Sequence, residues 1–247
     1  MTHRALPADL DAYASLIDDF RARGYSVQGF QDVHPDQPHL VLRHDVDFSL
    51  TEAAAMAERE RSLDVAAIYF VQVGCDLYNP LSPAGRAALD RIAKCGHEIG
   101  LHFDASPYDG NTGALETAAQ EQCAVIEQLT GYPVRIISFH KPARHLLGSA
   151  KRLAGRRHAY EPAFFSEIGY CSDSRGEWRH GHPLDHPAVL ARRAIQLLTH
   201  PIWWAGSAKT PKAALDALLQ RKLHADADEY ARTHQDYDPP KIELARP

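Results

Sequence analysis

Five apolar runs in this 247-residue chain stop, one after another, at an aspartate or a histidine. The first, Leu40-Val41-Leu42, leads into Arg43-His44-Asp45-Val46-Asp47, and the later ones end at His102, His140, Asp173 and His200. Each run reads as a strand, and helix-like stretches separate most of them. Helices are expected from Leu10 to Phe20, from about Leu50 to Leu63, from Pro83 to Cys95 and up to Thr130. A weaker one is expected around Leu146 to Ala154, and a terminal one from about Pro211 to Tyr230. Strands alternating with helices predict a parallel sheet. Ionisable groups at the carboxyl ends of several different strands fit the rim of a (β/α) barrel. An open doubly wound sheet would gather them at one switch point and carry a glycine-rich loop, which this sequence lacks.

Length and composition allow one full core. At 45% hydrophobic and 24% charged, with no internal repeat and no linker, residues 1–247 read as a single soluble globular domain. The polar, proline-bearing stretch from about 231 to 247 reads as a loosely held C-terminal tail. A net charge of -5 argues against a general nucleic-acid binder. The four cysteines are widely spaced and form no CxxC, so neither a zinc finger nor a disulfide framework is indicated. No stretch approaches the roughly 20 apolar residues of a membrane span. The first residues lack the apolar core of a signal peptide, which makes the cytoplasm the expected location.

Alternation along the first strand puts Asp45 and Asp47 on one face and His44 on the other. Two carboxylates brought together need a cation, a shared proton or strong hydrogen bonds. They could instead be capping residues for the helix that begins near Ser49. An Asp/His set suits one borderline divalent ion, zinc first, with nickel, cobalt or manganese as competitors. Such an ion lowers the pKa of a coordinated water towards about 7. A carboxylate left free can then take the water's proton, and a histidine across the site can protonate the leaving group. Each residue also has a plainer reading. His97, beside Gly96, orients a strand, Asp173 could make an Asx turn, and His180 and His182 belong to a solvated loop. Trp178, Trp203 and Trp204 could be core residues or sugar-stacking surfaces.

Taken in order, Arg43-His44-Asp45-Val46-Asp47, Gly96-His97-Glu98-Ile99-Gly100-Leu101-His102, Phe139-His140-Lys141-Pro142, Ser172-Asp173-Ser174 to Trp178, and Leu197-Leu198-Thr199-His200-Pro201 resemble the successive motifs of polysaccharide deacetylases of the carbohydrate esterase family 4 type. The resemblance covers roughly residues 38–205. It implies a distorted (β/α) barrel of about seven strands and a metal-dependent enzyme that removes N-acetyl or related acyl groups from amino sugars.

In that reading Asp45 is the base, Asp47 and His102 are metal ligands, Asp173 tunes the catalytic histidine and His200 is the acid. Arg43, Lys141, Trp178 and Trp203, within or beside the motifs, are the candidate substrate contacts. The chain departs from the family pattern in two places: Val46 splits the aspartate pair, and Ser106 stands where a second metal histidine is expected. His140 or Asp104 could complete the ligand set, His140 being preferred for its place at a neighbouring strand end. The implied substrate is an acylated amino sugar, free or linked to a nucleotide or lipid, used in surface-polysaccharide or glycan biosynthesis. The rival expectations are a sugar-binding barrel without chemistry and a metal-dependent phosphoesterase.

Overall fold

The computed structural model describes residues 9–108, 110–234 and 236–239. Helix α1 (Leu10–Ala22) is capped by the Asp9 carboxylate, which accepts from the Ala12 N–H at 2.8 Å. Its Tyr13, Leu16, Ile17 and Phe20 stripe is buried. A short strand β1 (Ser26–Val27) leads to β2 (His39–Val46), then α2 (Leu50–Ser62), β3 (Ile68–Val71) and α3 (Pro83–Lys94). Strand β4 (Glu98–Asp104), helix α4 (Thr112–Thr130) and β5 (Ile136–His140) follow. The chain ends through β6 (Arg157–His158), α5 (Pro162–Phe165), β7 (Gly169–Ser172), α6 (Pro187–Leu190), β8 (Ile195–Thr199) and α7 (Pro211–Thr233). Gly131, at φ 75°, ends α4 in the left-handed conformation that glycine takes without steric cost. No helix among the described residues is long and apolar enough to cross a membrane.

All strand pairs are parallel, in the order β6-β5-β4-β3-β2-β8-β7, with β1 added beside β2. These seven strands form a curled half-barrel, a distorted (β/α) barrel as expected. The curl is visible in contacts that skip strands. Gln196 on β8 donates to the carbonyls of Ala159 and Phe164 beyond β6, at 3.1 and 2.6 Å, and Arg43 on β2 reaches the Tyr160 hydroxyl at 2.8 Å. Strand β2 is buried along its whole length, so its residues face either the barrel interior or the helix layer.

The interior is graded from apolar to ionisable. Phe30, Val41, Ile68, Phe70, Ile136, Ala159 and Phe164 fill its lower part. Above them come Arg43, Asp45, Ser138 and Gln196, and then Asp47, His102 and His140. Gly100 has no room for a side chain. A Cβ there would stand 2.6 Å from the Phe70 ring and 2.9 Å from the Ile136 carbonyl oxygen.

Two expectations need correction. The helix expected around Leu146 to Ala154 is a short 3₁₀ turn (Arg144–Leu146) followed by irregular chain. Gly148, Ala154 and Gly155 there all have positive φ, which a helix cannot contain. The short strands β1 and β6 were not foreseen, because two residues are too few to show alternation. Helix α7 continues past Tyr230 to Thr233, and most of the tail expected beyond it lies outside the described residues.

Candidate metal centre and active site

The β2 strand sets the site. Its period of two turns Arg43, Asp45 and Asp47 into the barrel and His44 towards α2. On the outer side, His44 Nε2 lies 2.9 Å from Glu60 and its Nδ1 lies 2.7 Å from the Thr199 hydroxyl. Glu60 also accepts from the Tyr13 and Tyr69 hydroxyls, each at 2.6 Å. Burial opposes its charge, but the neighbouring His44 and these hydrogen bonds hold the carboxylate below its ordinary pKa. His97 has a structural part in the same layer. Its Nδ1 accepts the Ala67 N–H at 3.1 Å and its Nε2 lies 3.0 Å from the Ala57 carbonyl, tying α2 to β3.

On the inner side, Asp47, His102 and His140 converge. His102 Nε2 and His140 Nδ1 lie 3.0 and 3.1 Å from Asp47 Oδ1 and 3.2 Å from each other. Tetrahedral donors at about 2.0–2.1 Å from zinc stand roughly 3.3–3.4 Å apart, so this triangle fits an ion with little movement. His102 is nearly buried, whereas the Asp47 and His140 side chains keep 18% and 16% of their surface and open the site on one side. Burial alone would raise the Asp47 pKa. The hydrogen bonds from His102 and His140 overcome it and hold the carboxyl far below the usual range, the state a metal requires. Ser138 Oγ lies 3.1 Å from His102 Nδ1 and so turns the opposite nitrogen towards the cluster.

Below the cluster, Arg43 grips Asp45 as a fork, with Nε donating to Oδ1 at 2.9 Å and Nη2 to Oδ2 at 2.8 Å. Ser138 Oγ lies 3.2 Å from both Asp45 oxygens. Burial would raise the Asp45 pKa, but Arg43 outweighs it and keeps the carboxylate ionised. Across the cluster, His200 Nε2 is 3.7 Å from Asp47 Oδ2. Its Nδ1 donates to Asp173 at 2.6 Å, and its backbone N–H also reaches both Asp173 oxygens. Trp204 Nε1–H completes the hold on Asp173 at 2.7 Å. Burial would lower the His200 pKa, yet the charge and hydrogen bond of Asp173 lift it to about 9. His200 is therefore an imidazolium at neutral pH.

Solved structures with a similar fold are family 4 carbohydrate esterases and peptidoglycan deacetylases. A family 4 carbohydrate esterase from Bacillus anthracis is 16% identical, with a TM-score of 0.45 over 87% of this chain and 86% of that one. The peptidoglycan deacetylase PdaC from Bacillus subtilis is 16% identical, with a TM-score of 0.42 over 81% of this chain and 99% of that one. A CE4 family pseudoenzyme from Bacillus anthracis is 16% identical, with a TM-score of 0.43 over 78% of this chain, which spans 63% of that protein. No family model matches the sequence, and no curated protein does. At these identities the chemistry is read from this chain's own side chains.

The structure brings Asp45, Asp47, His102, His140, His200 and Asp173 together. It does not support Arg43 as a substrate contact. The guanidinium is fully buried, and its donors go to Asp45, Gln196, Ser138 and Tyr160. Trp178 is likewise a core residue, packed beside Trp204 at 6.1 Å between ring centres and facing α1. Trp203, 7% exposed, packs on Phe48, and its Nε1 has no hydrogen-bond partner among the described residues. Lys141 is exposed beside His140, with a left-handed φ of 47°. Asp104 is held by the N–H and hydroxyl of Ser106 instead of joining the cluster. Ser138, Tyr160 and Gln196 were not anticipated, and Trp204, read as a core or stacking residue, is also a hydrogen-bond partner of Asp173. Ser138 alone had a signal, lying two residues before His140 on the same strand face.

Proposed function

We propose that this chain is a metal-dependent hydrolase that removes an acetyl or related acyl group from the nitrogen of an amino sugar. The observation that carries the reading is the arrangement of side chains: an Asp47–His102–His140 triangle, with Asp45 held by Arg43 below it and His200 paired with Asp173 across it. Asp47, His102 and His140 would hold one divalent ion, zinc first. The ion would supply an activated water and positive charge beside the acyl oxygen. Asp45, kept unprotonated by Arg43, accepts the proton of the attacking water. His200, charged and fixed by Asp173 and Trp204, donates its proton to the amine as the C–N bond breaks, so a carboxylic acid and an amine leave. Lys141, exposed directly after His140, is the candidate substrate contact, whereas Trp203 is buried against Phe48.

His140 bears on the reading of a barrel without chemistry. Ser106 in place of a ligand histidine is the sequence feature that favours that reading, and His140 offers a third donor from the neighbouring strand. A phosphoesterase of the two-metal type calls for a second cluster, and among the described residues one group of metal-holding side chains is found. The test is metal analysis of the purified chain, followed by acetate release from a panel of acylated amino sugars. One metal per chain with acetate release supports the hydrolase. A metal-free chain that stays inactive after incubation with zinc, nickel, cobalt and manganese overturns it.

A further inference from the structure

Charge along this chain is strongly segregated. From Gln128 to Tyr160 there are seven lysines and arginines and no aspartate or glutamate, in a chain of net charge -5. Three of these cations are paired: Arg135 with Glu98, Arg156 with Glu127 and Arg157 with Glu161. The other four, Lys141, Arg144, Lys151 and Arg152, are exposed and have no acidic partner within 4 Å among the described residues. They lie on the loop that joins β5 to β6, which starts directly after the metal-donor candidate His140.

This loop walls a cleft of about 160 Å³. Lys141 and His145 line one side, Ser106, Asn111 and Thr112 offer polar groups on the other, and Tyr108, Leu115 and Leu146 add an apolar surface. Asp104, at the end of β4, is hydrogen-bonded to Ser106. We propose that the cleft and its loop bind a phosphate or diphosphate group carried by the substrate, an inference that rests on the amino-sugar hydrolase reading. A neutral sugar polymer would gain nothing from four unpaired cations. A long polyanion would call for a charged stripe across the surface, whereas these cations sit on one loop, with Lys141 in the wall of a small cleft and Arg144 between two of its lining residues, Ala143 and His145. A diphosphate ester of the sugar matches the charge, and Lys141 in the cleft wall directly follows His140 in the chain. Nucleoside and lipid diphosphates share that chemistry.

The test is calorimetric titration of the full metal-loaded chain with inorganic pyrophosphate, comparing wild type with the Lys141→Ala/Arg144→Ala double variant. Metal content and melting temperature are checked in both, so that any binding of pyrophosphate to the ion is common to the two. Binding should weaken by about tenfold or more in the variant, and wild-type binding should weaken as salt rises. Equal affinities would overturn the proposal. Competition with a nucleoside diphosphate and with a short prenyl diphosphate then assigns the source. If no sugar releases acetate while pyrophosphate binding still depends on the loop, the anion site stands and the reaction reading fails. If acetate leaves neutral and diphosphate-bearing sugars equally well in both proteins, the reaction stands and the anion site fails.

Discussion

Arg43 and Asp45, two residues apart on one strand, meet inside the barrel as a fully buried fork. The fork fixes the arginine on β2, while His140 on β5 converges with Asp47 and His102. Ser106, on the loop after β4, offers no histidine, and His140 stands as the third candidate donor. Replacing Arg43 by leucine leaves Asp45 buried and unpaired, and should lower unfolding free energy by about 3–5 kcal/mol. Adding Asp45→Leu should recover much of that loss. Urea denaturation of the two variants checks this, and a single variant as stable as wild type would remove the fork from the account of the fold.

How far the sequence could be read follows from where its signals lie. The strand ends were legible because apolar runs change abruptly to Asp and His, and the (β/α) barrel follows from finding those ends on different strands. The inward face of β2 was legible from alternation alone. The loop after β5 was not, since Gly148, Ala154 and Gly155, all at positive φ, break a stretch that resembles a helix by composition. Nor could Arg43 be told from a substrate contact. An arginine in a motif looks the same whether it faces solvent or a carboxylate on its own strand. Trp204 was ambiguous for a related reason, because its contact with Asp173 joins two strands whose adjacency only the topology fixes.

Metal retention should separate the two candidate third donors. His140→Ala should reduce bound metal well below one per chain, because two protein donors hold zinc weakly. Asp104→Asn should leave it unchanged, its carboxylate being held by Ser106. Inductively coupled plasma mass spectrometry of dialysed protein reads both, and the reverse outcome would move the site to the loop after β4.

His200 should make both stability and any activity fall at alkaline pH. Its folded pKa of about 9 lies above the ordinary value of about 6.5. Its pairing with Asp173 therefore contributes stability fully below about pH 6.5, and that contribution is lost as pH rises through about 9. In the metal-free protein, the loss of stability between pH 6 and 10 should be smaller in His200→Gln. Turnover should fall on the alkaline side as His200 loses its proton, and Asp173→Asn should shift that limb to lower pH, because burial then acts without its opposing charge. An alkaline limb unmoved by Asp173→Asn would exclude His200 as the proton donor.

Gly100 should tolerate no side chain. Its Cβ position is closed by the Phe70 ring on one side and a backbone carbonyl on the other. Gly100→Ala should destabilise the chain by about 1–3 kcal/mol through overpacking. Since His102 lies two residues further along β4, metal affinity should fall as well. Adding Phe70→Leu, which vacates part of the ring's space, should relieve some of the stability loss. Thermal unfolding of the single and double variants reads this, and full stability in Gly100→Ala would show that β4 shifts freely.

Asp45 and His102 should fail in different ways when altered, and that difference tests the division of labour in the site. Asp45 lies below the cluster, bound to Arg43 and Ser138, and none of its oxygens is among the three converging donors. Asp45→Asn keeps a carbonyl for Arg43 but loses the proton acceptor. It should hold metal at the wild-type level while turnover drops by about 10²–10⁴-fold. His102→Ala removes a donor and should lose the metal itself, with activity following. A melting curve on each variant separates these effects from misfolding, which matters most for Asp45 because its partner is a buried arginine. If Asp45→Asn also lost its metal, Asp45 would be a ligand, and the proton acceptor would have to be sought elsewhere in the site. If it kept both metal and turnover, the fork with Arg43 would be purely structural.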